Sequence, residues 1–228
     1  MENRKFLQNR AYEYILNIIL DNKLEDGQIY SQTQAASQIG VSRTPMRDAL
    51  QRLEQEGYIE IIPSKGFQLK PITVDGILKC TQIRNALEGY CAFLLAQNAG
   101  GKNAGKTLEH LKQLLSDQYS LFETNYDVTT FSKLDIMFHL SIVKYSENSE
   151  MINLFMNHQL YIQRLAEHSL KMAGRVKDAL DEHCQIYDAI KSGDPHEAYQ
   201  AIMMHTNNAQ KINLQRLQRL QEGVLAES

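Results

Sequence analysis

Four residues carry the clearest ligand chemistry in the chain. Asp135 and His139, in KLDIMFHLSI, stand four apart and share one face of a helix. His183, in DEHCQIYDAI, and His205, in AIMMHTNNA, lie in separate amphipathic segments. Brought together in a helical core, one carboxylate and three imidazoles make a nitrogen/oxygen site for zinc, nickel, manganese or iron. Such a site leaves coordination positions open, into which a carboxylate ligand fits. The plainer alternative is a set of polar side chains satisfied within a core, since the chain holds seven histidines and an Asp–His pair at this spacing arises readily by chance. His110, His158, His168 and His196 have no partner in the pattern.

A second group has a different chemistry. In GVSRTPMRDALQRLEQEGYI, Arg43 and Arg47 stand one turn apart at the start of a helix. A helix N-terminus offers free backbone N–H groups and a positive dipole, both suited to phosphate. Arginine also binds guanine bidentately. Ser42, Arg43, Thr44 and Arg47 would therefore face DNA, with Met46, Ala49, Leu50 and Leu53 turned to a core. The formal net charge is -3, and residues 1–74 hold nine Lys/Arg against nine Asp/Glu. Any affinity for DNA must then come from a few placed cations rather than from a basic field. The competing reading is an ordinary helix whose arginines are solvated or paired with Asp48.

The elements that would position these groups follow from periodicity and punctuation. Apolar residues at helical spacing predict a helix over 6–22, ended by Asp26-Gly27. Ser31 caps a short helix QTQAASQI, and Gly40 closes it. Ser42 or Thr44 caps the next, with Pro45 in its first turn. Tyr58–Ile62 and Phe67–Lys70 read as strands around the turn PSKG, so Lys65 and Gly66 sit at a hairpin tip. Beyond Val74 the pattern is helical throughout, near 75–98, 106–123, 127–145, 148–172, 175–192 and 195–222, with NAGGKNAG (98–105) as a loop. The expected fold is mainly α: a winged helix-turn-helix of three helices and a β-hairpin over 1–72, then an all-helical antiparallel bundle over 75–222.

The bulk properties narrow the class. Three cysteines give no disulfide framework and fit a reducing cytoplasm. The N-terminus has no signal-peptide pattern, and no apolar run approaches a membrane span.

GVSRTPMRDALQRLEQEGYIEIIPSKGFQL resembles the winged helix of GntR-type bacterial transcription regulators. The stretches QIRNALEGYCA, DIMFHLSIV and EHCQIYDAIKSGDPHEAYQAIMMH are similar to the FCD effector domain of the FadR subfamily. The resemblance implies operator contacts from Arg43, Thr44 and Arg47, with Lys65 and Gly66 in the wing. It implies that Asp135, His139, His183 and His205 bind a divalent metal, zinc first and nickel second. It implies that Arg84, four before Glu88, clamps an effector carboxylate; the residues alone fit a helix salt bridge equally well. Asn207 and Asn208, one turn or less past His205, either line the same cavity or are surface amides. Two departures stand out: Asp26-Gly27 replaces the family's Pro-Gly, and SQTQAA lacks its acidic residue and leucine.

The reading is a homodimeric regulator, not an enzyme, with a palindromic operator, a small anionic metabolite as effector and repression as the expected sign. Three rivals remain at this stage: a metal-free regulator, a metalloenzyme with an accessory winged helix, and a protein-interaction module.

Overall fold

A computed structural model describes residues 2–21, 23–124 and 126–223. The chain is mainly α and divides into two compact units, Met1–Ile72 and Thr73–Ser228.

The first unit is a winged helix-turn-helix: α1 (Glu2–Leu20), α2 (Gln32–Gln38), α3 (Arg43–Gln55), β1 (Ile59–Ile62) and β2 (Gly66–Leu69). Its core is the predicted stripe of Met46, Ala49, Leu50 and Leu53, joined by Pro45 and packed with Ala11, Ile15 and Ile19 of α1. A polar lock adds to this packing. The Tyr12 hydroxyl donates to Glu56 at 2.7 Å, Arg52 Nε donates to the same carboxylate at 2.9 Å, and the Arg52 guanidinium lies 3.8 Å from the Tyr12 ring centre. Ser31 caps α2 through Gln34 N–H, as its position implies. Ser42 occupies the cap position of α3, but its hydroxyl makes no capping bond.

The strands pair antiparallel with Ile59 opposite Leu69 and Ile62 opposite Gly66. The hairpin alone would be a marginal element. Tyr30 steadies it: its N–H donates to Phe67 O at 2.7 Å and its carbonyl accepts from Phe67 N–H at 3.0 Å. This one-residue bridge was not foreseen, because a single residue shows no period. It also accounts for Gly66, whose φ is +147° and whose missing Cβ would lie 2.0 Å from the Tyr30 carbonyl oxygen.

The second unit contains α4 (Val74–Gln97), α5 (Lys102–Thr124), α6 (Val128–Lys144), α7 (Ser149–Leu170), α8 (Arg175–Ser192) and α9 (Pro195–Gln221). Boundaries agree with the periodicity except at α5. Residues 102–105, expected in a loop, form its first turn. Gly100-Gly101 ends the preceding segment, with Gly101 N–H donating to Asn98 O, and fully buried Ala104 anchors the new helix. Gly105 is tolerated because it is exposed in that first turn. Asp127, Asn148 and Asp194 cap α6, α7 and α9 through their side chains.

α4 is the central helix. It buries residues on most sides, among them Cys80, Thr81, Arg84, Leu87, Glu88, Cys91 and Leu95. Its closest companion is α9. Gly89 permits that approach, since a Cβ there would lie 2.8 Å from the Tyr199 ring. The Thr206 hydroxyl on α9 also donates to Asn85 on α4. A separate apolar cluster of Phe131, Leu170, Val176, Ala179 and Leu180 ties α6, α7 and α8 together.

Gly66→Ala is expected to destabilise the first unit by more than about 1 kcal/mol, because both the backbone conformation and the Tyr30 contact are lost. Urea unfolding checks this; an unchanged midpoint would mean that the Tyr30 bridge does not constrain the wing.

Candidate functional site

The helices bring the predicted quartet together. Asp135 and His139 project from α6, His183 from α8 and His205 from α9, and all four are buried. One ligand atom from each lies within 4.8 Å of the others. The ring centres of His139 and His205 are 4.7 Å apart, and those of His183 and His205 4.8 Å. Phe138 stacks on His183 at 4.8 Å and closes one side.

Each imidazole is held at Nδ1. His183 Nδ1 lies 2.8 Å from Gln118 Oε1 on α5. His205 Nδ1 lies 2.8 Å from Glu182 Oε2. His139 Nδ1 lies 2.8 Å from Glu88 Oε2, at an angle too bent for a linear hydrogen bond. Glu88 and Glu182 are carboxylate acceptors and Gln118 presents Oε1, so Nδ1–H with a lone pair left on Nε2 is the arrangement these partners favour. The Nε2 atoms of His139 and His183 are buried with no hydrogen bond. His183 Nε2 stands 3.3 Å from Asp135 Oδ1. With Nδ1 turned to Gln118, that separation is met by a proton or a metal ion lying between the two atoms.

The protonation states match a ligand set. Burial pushes the His183 and His205 imidazolium forms down, His205 to about 3 despite the Glu182 hydrogen bond. Burial alone would raise Asp135, but a hydrogen bond from His183 and the positive charge its histidine neighbours carry when protonated hold it well below the usual carboxylate range. Neutral imidazole and ionised carboxylate are the forms that coordinate a divalent metal. The residues therefore fit zinc or nickel.

A cavity of about 20 Å³ adjoins the cluster, lined by Asp135 and His205 together with Arg84, Thr81, Ser169 and Arg175 among others. Arg84 makes the salt bridge that its spacing with Glu88 implies. Its Nε donates to Glu88 Oε1 at 2.6 Å and its Nη2 to Oε2 at 3.3 Å, yet it lines the cavity. The pair is buried rather than a surface bridge. Burial opposes both charges, but each outweighs it for the other: Glu88 falls to about 2 and Arg84 rises above its ordinary value. Asn207 does not join the cavity. It is exposed, and its Oδ1 accepts from Asn85 at 3.4 Å. Two residues along a helix turn a side chain by about 200°, so Asn207 points away from the side that His205 faces.

In the first unit, Ser42, Arg43, Thr44 and Arg47 are exposed along the N-terminal end of α3. Arg47 Nη2 is 4.0 Å from Asp48 Oδ1, and its side chain remains 60% exposed, so this pairing leaves the guanidinium available. Lys65 is exposed at the hairpin tip beside Ser64, which adopts φ +63°. Gly66 is half-buried, and the close approach it permits is to Tyr30.

Residues 7–69 match the bacterial regulatory proteins of the gntR family, and residues 80–208 match the FCD domain. The chain belongs to the GntR family of transcriptional regulators. It is 25% identical over 199 residues to the HTH-type transcriptional regulator YdhC of Bacillus subtilis, covering 86% of each chain. It is 23% identical over 199 residues to the HTH-type transcriptional repressor RspR of Escherichia coli, covering 87% of this chain and 85% of RspR. In fold it is similar to E. coli McbR/YncC, with a TM-score of 0.72 at 18% identity, covering 92% of this chain and 98% of that one. Among the described residues, no helix is long and apolar enough to cross a membrane.

Several residues of this FCD domain's site escaped sequence reasoning. Glu182 accepts from His205, from Asn208 Nδ2 at 2.8 Å, and from both terminal nitrogens of Arg175 at 2.9 and 2.7 Å. Its position beside His183 hid it, since neighbours on a helix diverge by about 100°. Gln118 carries no local signal at all. Its role depends on α5 packing against α8 with 65 residues between the partners.

Glu182→Gln is expected to lower divalent-metal affinity about 10–100-fold, as loss of an outer partner of a ligating histidine usually does. Competition titration against a chromophoric chelator measures it; affinity equal to that of the unmodified chain would deny Glu182 this role.

Proposed function

We propose that the chain is a cytoplasmic, homodimeric transcriptional repressor that binds a palindromic operator and responds to a small carboxylate held beside a divalent metal. The observation that carries the metal reading is the bare Nε2 of His183 facing Asp135 Oδ1 at 3.3 Å. Asp135, His139, His183 and His205 would hold the ion, zinc first and nickel second. When bound, it supplies positive charge and open coordination positions for an anionic ligand. The chain's own residues do the rest. Glu88, Gln118 and Glu182 fix the imidazoles. Arg84 keeps Nη1 free of Glu88 and available to the carboxylate in the cavity. This assigns binding rather than catalysis to the site.

Operator recognition falls to Arg43, Thr44 and Arg47 at the exposed end of α3, with Ser42 and Lys65 on phosphate. Gly66 serves the wing by shaping it around Tyr30. Two copies double the few cations and match a two-fold operator. Effector binding alters operator affinity only to the extent that it discriminates between DNA-bound and free forms. Repression is the sign recorded in the name of RspR.

Arg47→Ala is expected to abolish specific operator binding while the far-ultraviolet circular dichroism is unchanged. Lys65→Ala should weaken binding on all sequences and reduce the salt slope by about 1. Mobility-shift titrations on the operator and on a scrambled duplex, at several salt concentrations, separate the two. Undiminished specific binding by Arg47→Ala would defeat this assignment. Elemental analysis of untagged protein tests the metal, with one zinc or nickel per chain expected and none excluding the reading.

A further inference from the structure

Two of the imidazoles are held at the same distance by unlike acceptors. His205 Nδ1 lies 2.8 Å from the Glu182 carboxylate, and His183 Nδ1 lies 2.8 Å from the amide oxygen of Gln118. Gln118 is fully buried on α5, and its Nε2 is buried with no acceptor. An unmet buried donor is destabilising. A glutamate of the same shape would carry no such donor, but it would bury a further negative charge, and Arg84 and Arg175 are engaged with Glu88 and Glu182. The amide therefore gives His183 a neutral acceptor where His205 has a charged one. A charged acceptor at Nδ1–H raises the donor strength of Nε2 and fixes the ring firmly; a neutral acceptor does both less.

Position adds to this difference. His205 and Asp135 line the cavity beside the cluster. His183 instead stacks on Phe138, and both rings are fully buried. The weaker imidazole thus stands against a closed apolar wall, and the stronger one at the cavity.

Resting on the metal reading above, we propose that Gln118 is a positioning residue whose neutral oxygen makes His183 a weaker metal ligand than His205, so that His183 is given up first when the site is emptied. The amide then sets how readily the site loads and unloads, while Glu182 holds His205 in place throughout.

The test uses the full chain loaded with one equivalent of zinc. In nitrogen–proton spectra of the loaded chain, the His183 Nδ1–H proton should resonate upfield of that of His205, because a hydrogen bond to an amide is weaker than one to a carboxylate. Stopped-flow transfer of zinc to excess chromophoric chelator gives the release rate. Gln118→Glu, with its fold checked by circular dichroism, should slow release about tenfold, the size usual for an outer partner of a ligating histidine, and should move the His183 proton downfield. His183→Ala should speed release less than His205→Ala does. A His183 proton level with or downfield of that of His205 in the unmodified chain overturns the proposal, with no variant needed. Release from folded Gln118→Glu as fast as from the unmodified chain overturns it too, as does a His183→Ala chain that loses zinc as fast as His205→Ala. If Gln118→Glu does not fold, the proton order and the two alanine variants decide. If the unmodified chain takes up no zinc, the metal reading itself has failed and this inference falls with it; the loading step distinguishes that case.

Discussion

Three imidazoles share one dry core because each has an acceptor at Nδ1. Gln118 and Glu182 hold His183 and His205 by hydrogen bonds, and Glu88 sits against His139. This constraint sets much of the second unit. It requires α5 against α8, so that Gln118 reaches His183. It requires α4 against α6, so that Glu88 reaches His139. It brings α8 against α9, where Glu182 meets His205 and Asn208. Glu88 and Glu182 are each paired with a buried arginine, Arg84 and Arg175, since an unpaired carboxylate at such depth would be strongly destabilising. The two guanidiniums that stabilise the ligand-positioning carboxylates thereby become the walls of the cavity.

The first unit follows a different economy. Its apolar stripe, the Tyr12–Arg52–Glu56 lock and the Tyr30 bridge are all directed at holding α3 and the wing in place. The groups that would meet DNA are left out of that packing: Arg43, Thr44, Arg47 and Lys65 are exposed. In a unit whose Lys/Arg and Asp/Glu counts balance, placement is what distinguishes them.

The sequence was most legible where a regular element repeats a signal. The α3 stripe, the Ser31 cap and the helix boundaries after Val128 read directly from periodicity and capping residues. The quartet was legible as residue types and spacing, with the family resemblance supplying the convergence of α6, α8 and α9. What escaped has physical reasons. Tyr30 makes a single-residue bridge, with no period to detect. Gln118 acts across 65 residues through helix packing alone. Glu182 sits on a face set off from that of its neighbour His183, and its partners His205 and Asn208 come from α9. Asn207 was placed by nearness in sequence, which a helix does not convert into nearness in space.

The acceptors beside Nδ1 favour Nδ1–H tautomers for the three histidines, which would leave Nε2 to a metal. Long-range nitrogen–proton correlation spectra of the metal-free chain report tautomers directly. The account predicts Nδ1–H for His139, His183 and His205, with all three Nε2 resonances shifting when one equivalent of zinc is added and the Nδ1–H state retained. Nε2–H tautomers in the metal-free chain, or Nε2 resonances indifferent to zinc, would contradict it.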